Sequence, residues 1–283
     1  IIEDLSKTNF HFINKSHLSI DSLGQFSLNA SHQGLTSLDA IKGIPFKRIN
    51  IEGNPITDLS PLIGMPLKVL NISSTLITDL QPLKELPLQV LEVHNTSISD
   101  ITSLKNIPLQ RLYLSSTKIH SIEDIPVLQL NHLSLAKTDI SQLKHLQKAQ
   151  SLRFLDISDT KTSTLQYLKR LQLAELIISD TKINSLSPLS HQPLHTLTAN
   201  NLNIKSLQPL AQLSLKNLSL ANTPISSLMP LKNCQLERLY INNTKIKDLS
   251  ILANMPLKEL DISSTPVTYI EFNESLKSLK NLN

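Results

Sequence analysis

Nine histidines and one cysteine are the residues of this 283-residue chain best suited to chemistry. A metal site would need them in sets, with imidazole and thiolate ligands at characteristic spacing. The histidines stand at 11, 17, 32, 94, 120, 132, 145, 191 and 195, and no pair of them combines with Cys234 in a zinc-ligand pattern. Nucleophilic catalysis would need a Ser or Cys beside a base that a third group orients. His132 falls near Asp156 in the register worked out below, but no activated Ser or Cys completes a triad. Cys234 occupies a position where Met, Leu or Ile usually stands, so it is expected to be a small buried hydrophobe. Asn-x-Ser/Thr matches, those at 29, 71, 217, 242 and 273 among them, are expected by chance in a chain this rich in Asn and Ser. The chain is therefore expected to be non-catalytic, with no cofactor and no bound metal.

What positions these residues is an internal repeat. Segments beginning at Phe46, Leu67, Leu88, Leu109, Leu130, Leu152, Leu173, Leu194, Leu215, Leu236 and Leu257 align, 21 residues apart except for one interval of 22 after Leu130. The shared pattern is L-x-x-L-x-I-x-x-T-x-I-x-x-L-x-x-L, often followed by Pro. The first half is short, alternating and aliphatic, which predicts a brief strand with every second residue inward. The second half has period three, which suits a 3₁₀ turn rather than an α-helix. Pro61, Pro82, Pro188, Pro209 and Pro230 fit the start of such turns, where a missing N–H costs little. Thr fills the ninth slot at 75, 96, 117, 138, 160, 181, 223, 244 and 265, and Asn54 fills it in the first aligned coil. A small side chain with a hydrogen-bonding oxygen is expected there, where the chain turns inward. A stretched copy runs from Phe26 to Pro45.

Composition agrees with a stacked structure. Hydrophobic residues make up 40% of the chain but aromatics only 4%, so the core must be built almost wholly of Leu and Ile. The net charge of +4 comes without blocks of like charge, which excludes a basic or acidic tail. A single cysteine excludes an intrachain disulfide. No stretch approaches the roughly 20 apolar residues of a membrane span. The sequence begins Ile-Ile-Glu-Asp, without an initiator Met or a basic segment ahead of an apolar run, so it is expected to be a fragment or processed form, cytoplasmic and monomeric.

The repeat resembles bacterial leucine-rich repeats over about residues 26–270. The phrases T-D-L-S-P-L-I-G-M-P-L (57–67) and S-S-T-L-I-T-D-L-Q-P-L (73–83) resemble internalin repeats, although those favour Asn in the ninth slot and a 22-residue coil. The Thr form with a 21-residue coil is more similar to arrays in large bacterial serine/threonine kinases. The kinase motifs H-R-D and D-F-G and a Gly-rich loop are not in this sequence. The resemblance implies an α/β leucine-rich-repeat right-handed solenoid. It would carry a parallel β-sheet on the concave face and short 3₁₀ or extended turns on the convex face. Expected domains are an N-terminal cap at 1–25, a solenoid of about twelve coils at 26–270 and a C-terminal capping half-coil at 271–283.

In that architecture slots three and five face out of the concave side, and a protein partner is the expected ligand. Aromatic and Arg side chains are the types enriched at binding hot spots. They mark Arg111, Tyr113, His132, Phe154, Asp156, Glu175 and Ile177 as one candidate group, and Arg238 with Tyr240, beside Glu259 and Asp261, as a second. Arg238 and Glu259 also fit a cross-strand ion pair. Lys118, Lys161, Lys182, Lys205, Lys245 and Lys247 fall along one edge, but without interleaved aromatics they do not read as a nucleic-acid surface. Two irregularities, the extra residue near Gln147–Ser151 with Thr162, and Ala199 with Leu202, stand where the pattern expects other residues.

Overall fold

The computed structural model describes residues 17–268 and a two-residue strand at 281–282. Leu5, Phe10, Phe12 and Ile13 of the expected N-terminal cap lie outside the described residues, as do Leu276 and Leu279 of the expected C-terminal half-coil. The chain forms two compact units, one ending at Asp139 and the other beginning at Ile140.

In the first unit, β1 (Leu18–Ile20) is antiparallel to β2 (Phe26–Asn29). Then come β3 (Phe46–Asn50), β4 (Val69–Asn71), β5 (Val90–Glu92), β6 (Arg111–Tyr113) and β7 (His132–Ser134). From β2 to β7 each strand is parallel to the next, with the register shifting once between Phe26 and Ser27. The second unit contains β8 (Phe154–Asp156), β9 (Glu175–Ile177), β10 (Thr196–Thr198), β11 (Asn217–Ser219), β12 (Arg238–Tyr240), β13 (Glu259–Asp261) and β14 (Asn281–Leu282). All are parallel to their neighbours in sequence order.

The sheet register follows from the repeat, because each parallel pair places slot three on slot three and slot five on slot five. The backbone ladder runs past the three-residue strands. Slot-six amides bond the next coil's slot-five carbonyls, as Ile51 N–H does to Asn71 O at 3.0 Å, and slot-eight amides follow, as Ser74 does to His94 O at 2.8 Å. Slots one, four and six are buried: Leu109, Leu112 and Leu114 have no exposed surface at all. Each such Leu or Ile contributes about 1.5–3 kcal/mol by leaving water, and this repeated burial holds otherwise marginal coils together.

On the side away from the strands the chain makes 3₁₀ turns, among them Ser60–Leu62, Gln81–Leu83, Ser187–Leu189, Gln208–Leu210 and Met229–Leu231, each with Pro in its first two positions. An oxygen two residues upstream caps several of them. Asp58, Asp100 and Asp248 each accept the backbone N–H two residues on; the Ser60 hydroxyl and then its amide hold the Asp58 carboxyl below the usual carboxylate range, and the Thr102 and Ser250 amides do the same for Asp100 and Asp248.

Most ninth-slot Thr side chains are buried, Thr75, Thr96, Thr117 and Thr138 among them, while Thr181 and Thr265 are half-buried. Each hydroxyl donates to the carbonyl three residues back, for example Thr117 to Leu114 O at 2.7 Å. The amide after the Thr bonds across to the previous coil, as Lys118 N–H does to Ile98 O and Lys182 N–H to Thr162 O. Asn54 is followed by Pro55, which has no N–H, and its carboxamide does far more. Its Nδ2 donates to Ala30, Ile51 and Glu52 carbonyls, and its Oδ1 accepts the Gln33 and Leu35 amides.

The insertion at Gln147–Ser151 lies on the surface except for Ala149, whereas the other irregular residues are buried. Thr162 is fully buried with its hydroxyl 3.0 Å from that of Thr160, and Ala199 and Leu202 are buried as well.

Candidate binding face

Slots three, five and seven of the first unit present one polar and aromatic face. Tyr113 on β6 lies between two imidazoles. Its ring centroid is 4.7 Å from that of His132 on β7, tilted by 45°, and 6.4 Å from that of His94 in an edge-to-face arrangement. Such geometry suits the opposed charge distributions of ring edge and ring face. Tyr113 is half-buried, and that burial pushes its hydroxyl pKa up, while the Arg111 guanidinium acts in the opposite direction. Arg111 itself is exposed at the start of β6. The Ser115 and Ser134 hydroxyls, 2.6 Å apart, continue the polar rows. His94 was missed by reading slots three and five only. Two-residue alternation carried one step further, to slot seven, finds it.

Phe154 and Asp156 on β8 pair in register with Glu175 and Ile177 on β9, so these four expected residues form a local group on the second unit. The Asp156 carboxylate accepts the Ser158 backbone N–H at 2.9 Å and the Ser158 hydroxyl at 2.7 Å. Further along, Arg238 is engaged with its neighbours. Its Nε lies 3.2 Å from Glu259 Oε1, and its guanidinium also donates to Asn217. The Tyr240 hydroxyl donates to the same Glu259 carboxylate. That bond pushes Tyr240 upward and, with Arg238 second, holds Glu259 below the usual carboxylate range. The cross-strand ion pair expected from the sequence is therefore present, and a partner at Arg238 or Tyr240 must share or displace Glu259.

Slot eight holds a left-handed backbone in every aligned coil, with φ of 51° to 59° at non-glycine positions from Ser74 to Ser264. Asn and Asp tolerate this region better than most residues. In the second unit they add a ladder: Asn201 donates to Asp180, Asn222 to Asn201 and Asn243 to Asn222, at 2.6–2.8 Å. The expected lysine edge is exposed, including Lys118, Lys161, Lys182, Lys205, Lys245 and Lys247.

Cys234 is 1% exposed, its Sγ is 3.4 Å from Leu213 O, and burial pushes its thiol pKa up, all unlike a nucleophile. Among the described residues no three His, Cys, Asp or Glu side chains are grouped to hold a metal ion, and no helix is long and apolar enough to cross a membrane.

No protein-family model matches the chain, and no curated protein matches it significantly. Solved structures do. An internalin (InlF) of Listeria monocytogenes is 22% identical with a TM-score of 0.80, covering 91% of this chain and 86% of that one. A leucine-rich-repeat protein of Leptospira interrogans is 22% identical with a TM-score of 0.58, covering 90% and 82%. A plant peptide hormone receptor, solved in complex with its hormone, is 15% identical with a TM-score of 0.71, covering 95% of this chain and 52% of that one. At these identities the likeness establishes the fold, and it agrees with the repeat, the parallel register and the 3₁₀ turns. The chain is a leucine-rich-repeat solenoid with the fold of the bacterial internalin-type repeat proteins.

Proposed function

We propose that this chain is a non-catalytic protein-interaction module that holds a protein partner on its strand-lined face. The observation that supports this best is the half-exposed cluster of Arg111, Tyr113, His94 and His132. Aromatic side chains on a preformed sheet lose little entropy on binding, and aromatic and Arg residues carry much of the energy at known interfaces. Phe154, Asp156, Glu175 and Ile177 are the corresponding contact group on the second unit, and Arg238 with Tyr240 a lesser one. Structural relatives of this fold include a receptor solved with a peptide hormone, which supports a peptide or protein ligand. The repeat type favours placing the module within a larger bacterial kinase or surface protein.

The test is selection from a displayed random-peptide library against the immobilised chain, repeated with a Tyr113→Ala, His132→Ala variant of unchanged circular dichroism. Ligands that the wild type enriches and the variant does not are the expected result. A second reading, a spacer without a ligand, is favoured by the internal pairing of Arg238 and Tyr240 with Glu259. Failure to enrich any ligand would establish it in place of the first.

A further inference from the structure

The strand face of the first unit is electrostatically polarised. Slots two and three of β3–β6 carry Lys47, Arg48, Lys68 and Arg111, and no carboxylate. Slots five and seven of the same coils carry Glu52 and Glu92, and no Lys or Arg. Arg48 and Arg111 are exposed, and neither has a carboxylate within salt-bridge distance among the described residues. Between them in the same row stand Val69 and Val90, both only partly buried, with the register Arg48–Val69–Val90–Arg111 set by the parallel pairing.

From this we infer that the row binds an extended peptide lying across the strands, with the sequence acid–x–apolar–x–acid. The inference rests on the interaction-module reading and names the partner's chemistry. Its spacing follows from geometry. Adjacent strands lie about 4.8 Å apart, so Arg48 and Arg111, three strands apart, are separated by about 14 Å. An extended peptide advances about 3.4 Å per residue, so about four residues span that distance. Alternation puts residues i, i+2 and i+4 of the peptide on one face. Two acids spaced by four then reach the two guanidiniums, while the residue midway between them covers Val69 and Val90. Bidentate carboxylate–guanidinium pairs supply direction as well as affinity. Lys47 and Lys68 reinforce the attraction on one side, and Glu52 and Glu92 repel the acids on the other, which confines the peptide to the slot-three row.

Fluorescence anisotropy with labelled Glu-Ser-Leu-Ser-Glu tests this, beside Gln-Ser-Leu-Ser-Gln, the shortened Glu-Leu-Ser-Glu and Lys-Ser-Leu-Ser-Lys, at low ionic strength. Saturable binding of the first is expected, on the order of tenfold tighter than the Gln or shortened forms and weakening as salt is added. Replacing both arginines (Arg48→Glu with Arg111→Glu) should transfer the preference to the Lys peptide. The Arg48→Gln, Arg111→Gln pair should abolish discrimination between Glu and Gln peptides. Both side chains are exposed, so unchanged thermal unfolding is expected of these variants. Equal binding of Glu and Gln peptides, no binding of either, or retained Glu preference after charge reversal overturns the inference. The broader interaction reading fails separately, when the library selection enriches no ligand at all. If selection succeeds with ligands that lack paired acids, the reading stands and the inference falls.

Discussion

Asn54 is the position where a substitution that looks conservative in the repeat should prove costly. Thr is the commonest ninth-slot residue in this chain, so Asn54→Thr appears to restore the consensus. Its hydroxyl would keep one bond, to the Ile51 carbonyl, as Thr75 does to Ile72 O at 2.7 Å. It would lose the acceptor of the Gln33 and Leu35 amides, at 3.0 and 2.9 Å, and the donor to Ala30 O at 2.8 Å. Pro55 prevents the backbone from supplying the cross-coil bond used elsewhere. Gln33 is exposed, so water can take over its amide, but Leu35 and Ala30 are buried. An orphaned buried polar group costs about 1–3 kcal/mol, so the two buried groups together give about 2–6 kcal/mol. Repeat arrays need not unfold as a single cooperative step, so the loss should be local. Hydrogen exchange is the suitable assay. Amides from about 30 to 56 should exchange on the order of 30-fold to ten-thousand-fold faster, while those of β11–β13 are unchanged. Wild-type exchange rates in Asn54→Thr would refute the hydrogen-bond reasoning.

Other perturbations follow from the same structure. Gln192 is 3% exposed, accepts the Leu173 amide and donates to the Leu168 and Lys169 carbonyls, so Gln192→Leu should destabilise the second unit by about 1–3 kcal/mol in urea titration despite its greater hydrophobicity. A neutral result would show that apolar packing replaces the latch. Gly53 combines φ +69° with a His32 ring atom only 2.1 Å from where a Cβ would stand, so Gly53→Ala should lower the melting temperature. Adding His32→Ala should recover the part due to the clash, and no recovery would place the whole cost in the backbone. Cys234 should resist alkylation until the chain unfolds. Because folding raises its pKa, its contribution to stability is present below the ordinary thiol range and declines as pH rises through its folded value. Rapid labelling of the native chain at neutral pH would contradict that burial.

The repeat was legible because one residue type recurs at each buried slot. Leu112, Leu133 and Leu155 all arrive at the same position of a strand, and Pro61 and Pro188 both open a turn. What periodicity does not carry is pairing between unlike residues on adjacent coils. Gln192 stands where Met65 or Leu86 stands elsewhere and reads as drift until its three backbone partners are seen. Left-handed slot eight was hidden because Ser, Asn, Lys and Asp all occupy it, and glycine only at Gly53. On the candidate face, alternation found Arg111, Tyr113 and His132 but stopped short of His94, because the polar face runs two residues beyond the strand. The Arg238–Glu259 pair was legible from register alone, and its link to Tyr240 was not.

The central claim is that the strand face is the surface that binds. The direct measurement is hydrogen exchange of the chain with and without a ligand taken from the peptide selection. The account predicts protection concentrated on the strand segments around β5–β7, including the amides flanking Tyr113, and none on the 3₁₀ turns. Protection confined to those turns or to the lysine edge would contradict it.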